Sequence, residues 1–144
     1  MSTRFQNPST EQIAALLRRS RTIAVVGLSD DPLRPSFDVA AAMSHAGYRI
    51  VPVNPELSSW QGIGAAPSLD AAVAALPPGE TLDIVDVFRR PEHVAGIVED
   101  CLRLHLPALW LQVGVVDESA ALKARDAGMV VVMDRCIKVE QRRL

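Results

Sequence analysis

The chain of 144 residues contains only two cysteines, Cys101 and Cys136, far apart and outside any C-x-x-C or zinc-type spacing. Neither a disulfide framework, nor a redox motif, nor a metal site is therefore expected. Long apolar runs are missing: none approaches the roughly 18 residues that a membrane helix requires. The first residues, MSTRFQNPSTEQ, lack the charged-then-apolar order of a secretory signal. A cytoplasmic protein without a membrane partner is the expectation. Excess positive charge is also absent. A net charge of −2 gives no general field for nucleic acid or anionic lipid, so any basic site has to be local. There is no internal repeat and no low-complexity segment, and no residue pattern points to a protein partner.

What is present is the composition of an ordinary globular domain, 49% hydrophobic and 22% charged. The length suits a single domain over residues 1–144, opened by a helical segment within residues 1–20. Short β-rich runs alternate with helical stretches throughout, which predicts a mainly parallel sheet of about five strands, doubly wound, with helices on both faces. Residues 9–19 read as a helix that Ser9 or Thr10 can cap, with Ile13, Leu16 and Leu17 on one side. Strand 22–27, helix 36–46 and strand 48–54 then form a βαβ unit whose helix stops at Gly47. Between Pro55 and Gly79 the signal weakens to a helix over 69–76 and a shortened strand near Ala65 and Ala66. Strand 82–88, helix 91–104 with Pro91 in its first turn, strand 108–113, helix 117–127 ended by Gly128, and strand 129–133 complete the pattern.

In such sheets a ligand binds beyond the carboxyl ends of the strands, so the residues following each strand are the candidates. The first such loop, GLSDDPLRPSFD (27–38), has a single glycine where a dinucleotide-binding turn has three. Gly27, Leu28 and Ser29 lead into it, and Pro32 and Pro35 stiffen it. Arg34 and Ser36 add anion donors beside a helix N-terminus, whose free amides favour a phosphate. Strand two ends in Val53-Asn54-Pro55 instead of the Asp or Glu that would bond a ribose, which weakens an NAD reading. Phe88, Arg89 and Arg90 follow the third full strand, Gln112, Val113 and Gly114 the fourth, and Asp134, Arg135 and Cys136 the last.

Other reactive residue types give less. Asp83 and Asp86 are three apart on one strand, hence on opposite faces, and do not make a shared-proton dyad. His45, His93 and His105 fall in or at the ends of helices and read as surface residues. Cys101 lies on an apolar helix face and reads as core, whereas Cys136 stands at the edge where the candidate residues gather.

Taken in order, the segments AVVGLS, RPSFDVA, VPVNP, IVDVFRRPE, WLQVGVV and VVMDRCIK, within residues 22–138, resemble the small CoA-binding domain proteins. These are single-domain relatives of the N-terminal domain of the succinyl-CoA synthetase α subunit. The resemblance implies a Rossmann-like fold with coenzyme A or an acyl-CoA lying across the strand ends. It implies contacts from Gly27, Leu28, Ser29, Arg34, Pro35, Ser36, Val53, Asn54, Pro55, Phe88, Arg89, Arg90, Gln112, Gly114 and Cys136. Phe37 stands where relatives often have tyrosine, and Ile137 where they often have proline. The synthetase's catalytic histidine lies in a domain with no counterpart here, so ligase activity does not transfer. A binding module without its own catalytic apparatus is the leading expectation. A nicotinamide-dependent oxidoreductase, or an acyl transferase using Cys136, is the alternative.

Overall fold

The structure is a computed structural model that describes residues 4–144. Its centre is a five-stranded sheet, all parallel, built from β1 (Thr22–Val26), β2 (Arg49–Val53), β5 (Ile84–Val87), β6 (Ala108–Leu111) and β7 (Val130–Met133), in the order β2-β1-β5-β6-β7. Strand β3 (Ser59–Trp60) and β4 (Ile63–Gly64) form a separate hairpin.

The strands are apolar on both faces because helices cover both. One face packs Ala24, Val26, Val85, Val87, Leu109, Leu111 and Val131 against α3 (Leu69–Ala74), α4 (Val94–Arg103) and α5 (Glu118–Asp126). The alternate residues, Ile23, Val25, Ile84, Ala108, Trp110 and Val132, face α1 (Thr10–Arg19), α2 (Pro35–His45) and α6 (Ile137–Arg142). This period of two within continuous apolar runs is the mark of a doubly wound sheet. Cys101 sits in the first cluster, fully buried, and burial pushes its thiol up to about 12.

Helix starts follow local chemistry. Ser9 and Gln12 make a reciprocal capping box for α1, Ser68 caps α3 and Asp117 caps α5. Pro35 opens α2 and Pro91 opens a 3₁₀ turn, Pro91–His93, that runs into α4.

The expected helices and strands are found to within about two residues, with two additions. Gln61 and Gly62 both take positive φ, 50° and 77°, and join β3 to β4 as a two-residue turn. Strands of two residues carry no alternation to read, which is why this hairpin is silent in the sequence. The six residues of α6 are likewise too few to show a period. The shortened strand expected near Ala65 and Ala66 is a single parallel bridge, Val53 to Ala66.

Both sheet edges are capped at their carboxyl ends. Ala66 N–H donates to Pro52 O and Asn54 N–H to Ala66 O, each at 2.9 Å, while Pro52 offers no amide hydrogen on that side. At the other edge the Asn7 side chain donates to Met133 O at 2.9 Å and accepts from Met133 N–H at 2.7 Å. A side-chain amide thus occupies the place of a neighbouring strand.

Candidate functional site

The chain leaves β1 toward β2 on one side and returns to β5 on the other, so the loops after β1 and β5 diverge from a topological switch point. There they touch. Gly27 has φ +86°, and a Cβ on it would lie 2.4 Å from Phe88 O, so only glycine fits. Its N–H donates to Val53 O at 2.9 Å, which ties the β1 exit to β2 as well.

Above this junction lies a cleft of about 790 Å³. One wall is Gly27, Ser29, Arg34, Pro35 and Ser36 with Val39 of α2, and the other is Phe88, Arg89 and Arg90 with Pro91. Gln112, Val113, Gly114, Val115 and Cys136 complete it. The strand-end loops nominated from the sequence therefore converge, with the exception of the one after β2. Leu28 and Val53 are buried in the core, at 0% and 4% exposure, and Pro55 lies outside the cleft. Asn54 braces from behind: its Nδ2 donates to Leu28 O at 3.1 Å, and its Oδ1 accepts Glu56 N–H at 2.9 Å.

The first loop is organised by its own hydroxyls. Ser36 Oγ accepts Ser29 N–H and Ser29 Oγ accepts Asp31 N–H, both at 3.0 Å. Each hydroxyl thereby keeps its proton to donate. Ser36 does not cap α2: the N-cap is Arg34, without a side-chain bond, and the amides of Phe37 and Asp38 reach back to Arg34 O. Pro35 has no amide hydrogen, so Ser36 N–H is what the first turn leaves unspent.

Charge in the cleft is one-sided. Among the described residues three arginines line it and no carboxylate does. Arg34 is 4.0 Å from Asp31 and Arg90 is 3.9 Å from Glu92, both loose, exposed pairs. Arg89 is half-buried, its Cδ against Gly27 and its Nη2 3.2 Å from His93 Nε2. His93 is exposed, as expected of a surface residue. The Pro91–His93 turn nevertheless brings it beside Arg89 at the end of β5; the i, i+4 spacing from Arg89 was the available signal.

At the far end, Asp134 takes φ 61° and its Oδ1 accepts Gly114 N–H at 2.7 Å, which links the exits of β6 and β7. Trp110 Nε1 donates to Arg135 O at 2.9 Å and fixes the turn into α6. Cys136 is half-buried there, its thiol free and without a hydrogen-bond partner among the described residues. Arg135 turns to Glu140, at 3.9 Å.

Beneath the floor lies a carboxyl group the sequence reading set aside. Asp86 is 1% exposed and its Oδ1 accepts Gln112 Nε2–H at 2.8 Å. Burial raises its pKa to about 7, opposed by that hydrogen bond. Asp83, as its spacing requires, is elsewhere: its Oδ2 accepts the N–H groups of Arg21 and Thr22, both at 2.9 Å.

Known proteins share this fold. The chain is 45% identical over 135 residues to the Bacillus subtilis protein YneT, covering 94% of this chain and 96% of that one. The structure of cell-free ID.343 from Thermus thermophilus superposes with a TM-score of 0.84 at 35% identity, covering 94% of this chain and 98% of that one. A Pyrococcus horikoshii protein gives a TM-score of 0.85 at 28% identity, over 100% of this chain and 99% of its own. A sequence profile of the CoA binding domain matches residues 21–142. The fold, Rossmann-like with a five-stranded parallel sheet, agrees with that match, and the chain belongs to the CoA-binding domain family.

Proposed function

We propose that the chain binds coenzyme A or an acyl-CoA in the cleft over the strand ends, as a binding module without a complete catalytic apparatus. The observation that carries this reading is the set of Arg34, Arg89 and Arg90 on the walls of one cleft that, among the described residues, no carboxylate lines. Coenzyme A brings a pyrophosphate and a 3′-phosphate, which suit guanidinium groups, the free amide of Ser36 and two hydroxyl donors. Its pantetheine arm needs apolar walls. Phe88, Val39 and Val115 supply them, together with Val113, which stands 68% exposed at the rim.

The nicotinamide alternative is weakened at β2, where Asn54 is consumed in bracing Leu28 and Glu56, and no acid takes the ribose-binding place. Acyl transfer through Cys136 lacks a base, since no histidine or carboxylate bonds its thiol among the described residues. Titration calorimetry with coenzyme A, acetyl-CoA, NAD and NADP tests the reading. Coenzyme A should bind, and Arg89→Ala should weaken it by about 1.5–3 kcal/mol, the worth of a charge-assisted bond. Binding of NAD or NADP without coenzyme A would overturn it.

A further inference from the structure

Gln112 is 4% exposed, yet it borders the cleft. Its amide is not free to turn. An ionised Asp86 can only accept, so Nε2–H, at 2.8 Å from Oδ1, must face the carboxylate, and Oε1 is driven to the opposite side. That Oε1 has no partner among the described residues. Among the described residues, the one side-chain polar atom sealed from solvent without a partner is Trp60 Nε1, so Oε1 of Gln112 is not sealed: it opens on the cleft. A nearly buried acceptor left unmatched by the protein is a position waiting for a donor, because an unpaired polar group in such a place is costly. Anions cannot fill it.

We propose that Gln112 is a specificity-determining residue whose Oε1, positioned by the buried Asp86, accepts an N–H from the amide-bearing arm of the ligand. The assignment rests on the coenzyme A reading: the pantetheine arm has two amide N–H groups, and the uncharged donors of the nucleotide end, the adenine amino group and the ribose 2′-hydroxyl, are also present in adenosine 3′,5′-bisphosphate. The arginine wall and Gln112 thus divide the ligand between them, one taking charge and the other taking an uncharged donor.

Asp86 acts here only through Gln112. When it takes up a proton, its O–H competes for Oε1, and the acceptor is lost to the cleft. The ionisable side chains on the helices of this face are Glu11, Arg18 and Arg19 of α1, Asp38 and His45 of α2, and Lys138, Glu140 and Arg142 of α6. Glu140 pairs with Arg143 at 2.9 Å and Lys138 with Asp38 at 2.8 Å. None of these groups contributes to the shift at Asp86, which comes from burial opposed by Gln112.

The test compares coenzyme A with adenosine 3′,5′-bisphosphate, the same nucleotide without the arm, by calorimetry across pH 5.5–8.5, roughly centred on the pKa of about 7. The bisphosphate's 5′-phosphate is a monoester that titrates in this range, whereas coenzyme A holds it as a diester, so the ratio of affinities is read in the wild type against Asp86→Asn, where titrations of the ligands cancel. Relative to the variant, the wild-type ratio should fall as pH drops through about 7. Asp86→Asn, which cannot titrate at this position, should keep only the slope that the ligands themselves contribute. Gln112→Met, close in shape and without the acceptor, should weaken coenzyme A about three- to tenfold and leave the bisphosphate unchanged. The same slope in wild type and Asp86→Asn, or equal losses for both ligands in Gln112→Met, would overturn the assignment while the coenzyme A reading stood. Should Gln112→Met not fold, the wild-type and Asp86→Asn profiles decide alone. A wild type that binds neither ligand would remove both readings together.

Discussion

Asp86 shows how one buried carboxyl couples the floor of the cleft to stability. Its folded pKa of about 7 lies above the ordinary 3.8, so the folded chain binds the proton more tightly than the unfolded chain between those values. Stability from this group is therefore complete below about pH 4, falls as pH rises, and is gone above about pH 7. Asp86→Asn removes that decline. Thermal melts from pH 4 to 8 should show the wild type losing ground to the variant by at most about 4 kcal/mol, with no further change above pH 7. An equal pH slope in both chains would assign the titration to another group. The direction matters beyond stability, since a variant that melts later yet loses the pH response of ligand choice cannot owe the second effect to damage. At this scale the sequence was only partly legible. Spacing placed Asp83 and Asp86 on opposite faces, but burial and the partner Gln112, 26 positions away, arise only from the pairing of β5 with β6. Gly27 could be seen to permit close approach, whereas the atom it approaches, Phe88 O, belongs to a loop some sixty residues later.

Elements were read best where their own chemistry suffices. Apolar runs of four or five residues, capped helices and terminal glycines located every strand of the large sheet, and the alternation of strand and helix forced the parallel order. Legibility failed for pieces whose form is imposed by neighbours, the β3–β4 hairpin and α6, while the shortened strand near Ala66 was placed but not its reduction to a single bridge with Val53. It also failed for residues 4–8, where Asn7 depends on β7. Asn7 is held to Met133 by two hydrogen bonds across 126 positions, and Phe5 N–H donates to Glu118 at 3.0 Å. Asn7→Ala should cost about 1–3 kcal/mol, the worth of two such bonds. Amide exchange at Met133 should quicken while that of Val85 in the central strand β5 stays slow. Uniform quickening would mean the segment opens only with the whole molecule.

At the level of the whole molecule, net charge is a poor guide to the field a ligand meets. The chain totals −2, yet the parallel sheet sends every strand end, and the N-termini of α2 and α5, toward one rim where Arg34, Arg89 and Arg90 gather. An anion approaching that rim meets attraction although the molecule repels it on average. Coenzyme A affinity should accordingly fall several-fold between roughly 0.05 and 0.5 M salt, with most of the loss in the rate of association. A salt-independent affinity would place the phosphates away from the arginines. That the candidate loops converge was legible from topology alone, because a parallel sheet has one carboxyl edge. Which side chains face inward was not: Leu28, Val53 and Asn54 follow the same rule of position and turn to the core or to bracing.

The capped edges of the sheet carry a further consequence. A parallel sheet of apolar strands is a template for any passing extended chain, and proteins that leave such an edge bare tend to assemble without limit. Here Pro52 withholds a donor on one side and Asn7 occupies the last peptide on the other, so a foreign strand would meet a missing hydrogen at one edge and a side-chain amide already in place at the other. Self-association through the sheet would first have to unfasten residue 7, which makes the least conspicuous stretch of the chain its guard against aggregation.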